Sequence, residues 1–128
     1  MELRTYVIEG ARFTTLDGFY DEVERELLEG EAWGRNLDAF SDILDPDFGP
    51  LPPRFVLVWR DARLSRKHLS HAETTKELQC RLARCHSTAR PRVQRDLAAA
   101  ERGVGPTVFD WLVQIIREHE NVEFVFQN

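Results

Sequence analysis

Cysteine, glycine-rich loops and long apolar runs are scarce in this sequence, and each scarcity excludes a class of protein. There are two cysteines in 128 residues, Cys80 and Cys85. On a helix, a five-residue separation puts them about 140° apart around the axis, a poor geometry for a disulfide. Free thiols fit a reducing cytoplasm, the location expected here. No CxxC pair occurs, and "HLSH" and "CRLARCH" do not match a common zinc spacing. Surface histidines and half-buried cysteines account for His68, His71, Cys80, Cys85 and His86 better than a metal does, so neither metal nor cofactor is expected. No run of about 18 apolar residues could span a bilayer. The opening "MELRTYVIEG" lacks the basic start and long apolar stretch of a signal peptide, so no membrane partner is expected. No glycine-rich phosphate loop appears, and no nucleophile lies beside a base in the sequence. Asp38 and Asp42 alone are a weak case for acid–base chemistry, so the chain is not expected to be an enzyme.

What is present is a globular composition, 42% hydrophobic and 30% charged, on a length that fits one domain. The net charge is −5, which disfavours a nucleic-acid binder. The charge is unevenly spread. From Arg60 to Gly103 there are eleven basic and five acidic side chains, leaving six basic and seventeen acidic elsewhere. An acidic body thus carries a basic segment. Its arginines, Arg81, Arg84, Arg90, Arg92, Arg95 and Arg102, have no interleaved aromatics and no recognised motif, so direct nucleic-acid binding is not expected. A basic hairpin that folds over the acidic body, or one solvated on its own, is expected instead, with extra contacts to a partner nuclease as the alternative.

The spacing of apolar residues predicts the elements. "LRTYVIEG" reads as a strand, Leu3 to Ile8, stopped by Gly10. Thr14 and Asp17 form a capping signature, and Leu16, Phe19, Tyr20, Val23 and Leu27 follow on one helical stripe up to Gly30. A short helix capped by Asn36 comes next. "RFVLVW", Arg54 to Trp59, is a nearly unbroken apolar run, the pattern of a strand covered on both faces. Thr107 and Asp110 cap a helix with Val108, Leu112, Ile115, Ile116 and His119 on one face, and "VEFVFQ", Val122 to Gln127, closes as a strand. Helices between strands imply crossovers. The expected fold is α/β: a small two-layer domain with a three-stranded parallel sheet and helices packed on it. A structureless segment from 61 to 105 would be unusual in such a domain. "TTKELQCRLARCH", with Thr74 and Glu77 as a capping box, and "PRVQRDLAAAERG", with Pro91 in its first turn and Gly103 past its end, predict an inserted helical hairpin.

"AWGRNLDAFSDILDPD", Ala32 to Asp47, concentrates acid in a short helix. Leu37, Phe40, Ile43 and Leu44 project to one side, with Asp38, Asp42 and Asp45 roughly opposite. Like charges four residues apart repel by roughly 0.2–0.5 kcal/mol, and acids in the last turn oppose the helix dipole. A solvated amphipathic face would explain the pattern. So would a patch made for a basic partner or a cation.

The same stretch resembles the barstar family, intracellular inhibitors of secreted microbial ribonucleases. Trp33, Gly34, Asn36, Leu37, Asp38, Ala39 and Asp42 match the family's hallmark in register. "YDEVERELL", "FVLVWRD", "LVQIIREHE" and "VEFVF" are similar to its first helix, second strand, last helix and last strand. The resemblance falls in two blocks, from the N-terminus to near Arg63 and from near Thr107 to the end, within one domain covering 1–128. It departs at Ala32, where the family often has a first aromatic, at Ser41, which replaces an aromatic between the aspartates, and at Asp45 and Pro46, which alter the helix exit.

The resemblance implies a function: an inhibitor that pushes this helix and its preceding loop into the active site of a basic ribonuclease. By position, Asp42 would occupy the phosphate site and Asp38 would make a second charge contact. Trp33 and Gly34 would sit in the approach loop, with Asn36 capping the helix and orienting that loop. Asp45 would extend the acidic patch, and Glu118 would reach a peripheral cation. Carboxylates would stand in for phosphate oxygens through charge-assisted hydrogen bonds. The expected partner is a basic ribonuclease or related nuclease toxin, with the free protein monomeric. An immunity or antitoxin protein against another basic nuclease, or a non-inhibitory α/β regulatory protein, are the alternatives.

Overall fold

Three short strands form one parallel sheet in the order β1-β2-β3: β1 (Arg4–Glu9), β2 (Phe55–Arg60) and β3 (Val122–Phe126). The structure, a computed structural model, describes residues 3–128. Six helices connect and cover the strands: α1 (Leu16–Glu26), α2 (Leu37–Leu44), α3 (Ala62–His68), α4 (His71–Arg84), α5 (Arg90–Glu101) and α6 (Val108–Arg117). The fold is the α/β domain expected from the sequence.

Side-chain alternation along the strands decides which face meets the helices. Pairing aligns Tyr6, Leu57 and Phe124, and next to them Ile8, Trp59 and Phe126. This face enters the core with Phe13, Phe19, Phe40, Phe109, Leu112 and Ile116. Trp59 is its centre, stacked on Phe19 with ring centroids 5.3 Å apart and fully buried. The opposite face carries Val7, Val58 and Val125, of which Val58 is buried, Val7 half-buried and Val125 38% exposed. On this second face β2 is covered at Val58, between its neighbours Val7 and Val125. Its apolar run reflects a central strand whose second face is lined by neighbouring valines.

Helix starts follow local chemistry. Thr15, not Thr14, caps α1 and accepts from the Gly18 N–H at 3.0 Å. Thr107 and Asp110 form the predicted capping box of α6. Glu22 of α1 is fully buried, yet its charge is matched. One oxygen accepts from the Glu9 N–H at 2.8 Å and the other lies 3.1 Å from the Arg25 guanidinium.

The segment after β2 holds three helices where two were expected. The additional one, α3, belongs to the core. Ala62, Ser65 and Leu69 are buried, and the Ser65 hydroxyl accepts from the Trp59 indole at 2.9 Å. Helices α4 and α5 form the predicted hairpin, with Leu78 and Ala100 buried and Val93 and Leu97 half-buried. Thr74 is not its cap. The helix begins earlier, at His71, and the Thr74 hydroxyl donates to Ser70 O at 2.9 Å.

That first turn of α4 serves two other helices. Thr74 Oγ1 accepts from the Val108 N–H at 2.8 Å, and Glu73 Oε2 accepts from the Leu16 N–H at 2.7 Å. These are the opening residues of α6 and α1, whose N–H groups have no partner within their own helix. His71 Nε2 is 2.8 Å from Gly105 O. The hairpin is thus rooted in the body by hydrogen bonds at its base.

Candidate functional site

The approach loop and α2 are held from beneath. Asn36 caps α2, its Oδ1 accepting from the Ala39 N–H at 2.7 Å while its amide donates to Gly34 O at 3.2 Å. Gly34 lies so close to the helix that a Cβ there would be 2.8 Å from Ala39 Cβ. Arg35 adopts φ 51°, a left-handed conformation that costs an ordinary residue about 1–2 kcal/mol. Its guanidinium bonds Asp21 at 2.7 Å and lies 3.7 Å from Glu24, both on α1. The hydrogen bond to Asp21 raises its pKa. The cation nearest to the acids of α2 in sequence is therefore turned towards α1. Trp33 is half-buried and meets Tyr20 edge-on, with centroids 5.4 Å apart. Its indole nitrogen is buried without a hydrogen-bond partner among the described residues.

The apolar side of α2 is fixed by Phe40, Ile43 and Leu44, all buried. Asn121 donates to Leu44 O at 2.9 Å, closing one of the open carbonyls at the helix end. Ser41, which stands where the resemblance has an aromatic, is 3.5 Å from His119 Nε2. His119 Nδ1 lies 2.7 Å from Ile115 O, so that small contact joins α2 to α6. On the outer side, Asp38 and Asp42 are exposed. Among the described residues, neither lies within 4 Å of a cationic side chain, although nine such ion pairs occur elsewhere.

Asp45 is not part of the helical face. It is the residue that ends α2, with extended backbone, and its Oδ1 accepts from the N–H groups of Asp47 and Phe48 at 2.8 and 3.1 Å. Gly49 closes the same turn, donating to Asp45 O at 3.0 Å. The result is a hydrogen-bonded turn that holds Phe48 88% exposed. Sequence reasoning passed over Phe48. The signal was an aromatic inside "DPDFGP", where a loop supplies nothing to bury it.

Asn36, Asp38, Asp42 and Glu118 line one groove of about 1550 Å³. Glu118 ends α6, is exposed, and accepts from the Gln114 amide at 3.1 Å. Leu37, Tyr20, Trp111 and Ile115 supply apolar lining. Burial pushes the pKa of the Tyr20 phenol well up, with a smaller contribution from the Glu77 carboxylate. The opposite wall belongs to the hairpin: Lys76, Arg81, Arg84 and Arg92. Arg81 pairs with Glu77 at 3.4 Å and stacks over the Trp111 ring at 4.8 Å. Trp33, Gly34 and Asp45 border α2 without lining this groove.

Cys80 is exposed on the groove wall and Cys85 ends α4; both are free. Among the described residues no group of three or more His, Cys, Asp or Glu side chains is arranged to hold a metal ion. No described helix is long and apolar enough to cross a membrane.

A family model described as Barstar (barnase inhibitor) matches residues 3–110. The match runs continuously through the hairpin and stops within α6, where the sequence resemblance fell in two blocks on either side. No curated protein matches the chain.

Proposed function

Because this chain belongs to the barstar family, a family of inhibitors and not of enzymes, we propose that it binds a basic ribonuclease or related nuclease toxin and blocks its active site with α2. The observation that carries this reading is the state of Asp38 and Asp42. Both are exposed on one side of a helix whose other side is locked into the core, and neither has a cation of its own within 4 Å among the described residues. Two carboxylates with no salt-bridge partner of their own are left available to an external cation.

In this reading Asp42 takes the place of a phosphate group among the nuclease's catalytic cations, and Asp38 makes the neighbouring contact. Glu118 reaches a cation at the rim. Asn36 and Gly34 set the loop against the helix, and Trp33 supports that loop from below. Asp45 contributes charge at the edge while holding its turn. The acidic face also draws a basic partner in and speeds encounter. The protein acts in the cytoplasm as a monomer, and the segment 61–105 is an insertion within a single domain.

The test is a titration of basic microbial ribonucleases against the protein, Asp42→Ala and Asp38→Ala, read as residual nuclease activity and by calorimetry. Inhibition by the parent, lost in Asp42→Ala and weakened steeply by added salt, is the expected result. Undiminished nuclease activity across the panel removes the ribonuclease claim. Inhibition confined to other basic nucleases would move the protein to the immunity or antitoxin reading.

A further inference from the structure

Resting on that reading of α2, we propose that the α4–α5 hairpin is the second wall of a two-sided partner cleft, in which Arg84 and Arg92 receive acidic groups of the same nuclease that α2 engages through Asp38 and Asp42. The hairpin is not a loose appendage. Glu73 and Thr74 bond the first residues of α1 and α6 at 2.7 and 2.8 Å, so its base is fixed to the body. From that root the two walls diverge around a groove of about 1550 Å³.

Charge satisfaction stops where the walls part. Near the root, Lys76 lies 3.6 Å from Glu73, and Arg81 is paired with Glu77 and stacked on Trp111. Farther along, Arg84 and Arg92 line the groove with no carboxylate within 4 Å among the described residues. The facing wall carries Asp38, Asp42 and Glu118 in the same condition. Two unpaired sets of opposite sign thus share one space without touching.

An occupant that satisfies both must itself be bipolar. The groove exceeds the roughly 300–1,000 Å³ typical of small-ligand sites, and part of its lining is apolar. A protein segment fits this better than RNA, which the carboxylates of α2 would repel. The occupant is therefore a nuclease whose cationic active site is flanked by an acidic patch. A uniformly cationic nuclease would be attracted by α2 and repelled by Arg84 and Arg92. The hairpin then determines which nuclease is accepted, since discrimination needs a repulsive element as well as an attractive one.

The experiment compares binding by calorimetry across the same panel of basic ribonucleases for the parent protein, Asp42→Ala, Arg84→Glu/Arg92→Glu, Arg84→Ala/Arg92→Ala and Arg84→Lys/Arg92→Lys. Both arginines are exposed, and thermal melting checks that each variant is folded. For a nuclease bound in an Asp42-dependent way, the Glu pair is expected to weaken binding by about tenfold or more, the scale of losing charged hydrogen bonds. The Ala pair should fall between, and the Lys pair should stay close to the parent. Asp42-dependent binding that ignores Arg84 and Arg92 overturns this inference and leaves the proposed function standing. Tighter binding by the Glu pair also overturns it, and shows a hairpin that shields α2. Capture of a short RNA through Arg84 and Arg92 in preference to any nuclease overturns it as well. If no nuclease in the panel binds the parent, both readings fall together.

Discussion

The hydroxyl of Thr74 accepts from the backbone N–H of Val108 at 2.8 Å, across 34 positions of sequence, at a site where both residues are buried. One threonine in the hairpin thus completes the start of the helix that carries Glu118. Thr74→Val keeps the shape and removes the acceptor, leaving a buried N–H without a partner. The expected cost is about 1–3 kcal/mol, measured by urea unfolding. Amide exchange of Val108 should quicken with it.

Asp42 divides stability from binding. It sits four residues after Asp38 and near the negative end of the α2 dipole. Asp42→Asn should leave thermal stability unchanged or raise it by roughly 0.2–0.5 kcal/mol, the scale of a like-charge pair on a helix. Inhibition of a nuclease should fall sharply in the same variant. A parallel loss of melting temperature would show a structural role instead.

Gly34 and Ala39 are a matched pair. A methyl group on Gly34 would lie 2.8 Å from Ala39 Cβ, so Gly34→Ala must push the loop off the helix. Overpacking of this kind costs about 1–3 kcal/mol. The double variant Gly34→Ala/Ala39→Gly removes the clash, and it should recover much of the loss of nuclease binding seen for Gly34→Ala alone.

Tyr20 makes the fold sensitive to alkali. Its phenol ionises near pH 10 in an unfolded chain, while burial, aided by Glu77, holds the folded pKa above that value. The stability contributed by the neutral phenol is complete below pH 10. It declines as pH rises further, because the unfolded chain then loses its proton more readily. Unfolding free energy measured from pH 9 to 11 should fall with pH, and Tyr20→Phe should flatten the decline.

Much of the fold was legible because its signals were local. Asn36 announced α2, Thr107 with Asp110 announced α6, and stripes such as Leu16, Phe19, Tyr20 and Val23 gave helix faces directly. Helix α3 was missed because it offers no such stripe. It begins at Asp61 in a left-handed conformation with no side-chain cap, and it buries Ala62 and Ser65. Thr74 misled for a related reason. Its spacing to Glu77 imitates a capping box, whereas its oxygen serves a helix distant in sequence. Asp45 read as part of a charged face because helical phase says nothing about where a helix ends. The opposite charges of body and hairpin suggested that the hairpin could fold over the acidic body, but not that it would face α2 across an open groove, since spacing within each wall says nothing about the distance between them.

The three tryptophans differ in a way that makes the chain its own optical gauge. Trp59 is sealed in the core and should give a steady background. Trp111 borders the groove with the Arg81 guanidinium over its ring at 4.8 Å. Anything entering there must expel solvent from that indole or draw the cation off it, and either event alters its emission. Docking can therefore be followed in real time by ultraviolet excitation, with no dye attached and no residue replaced.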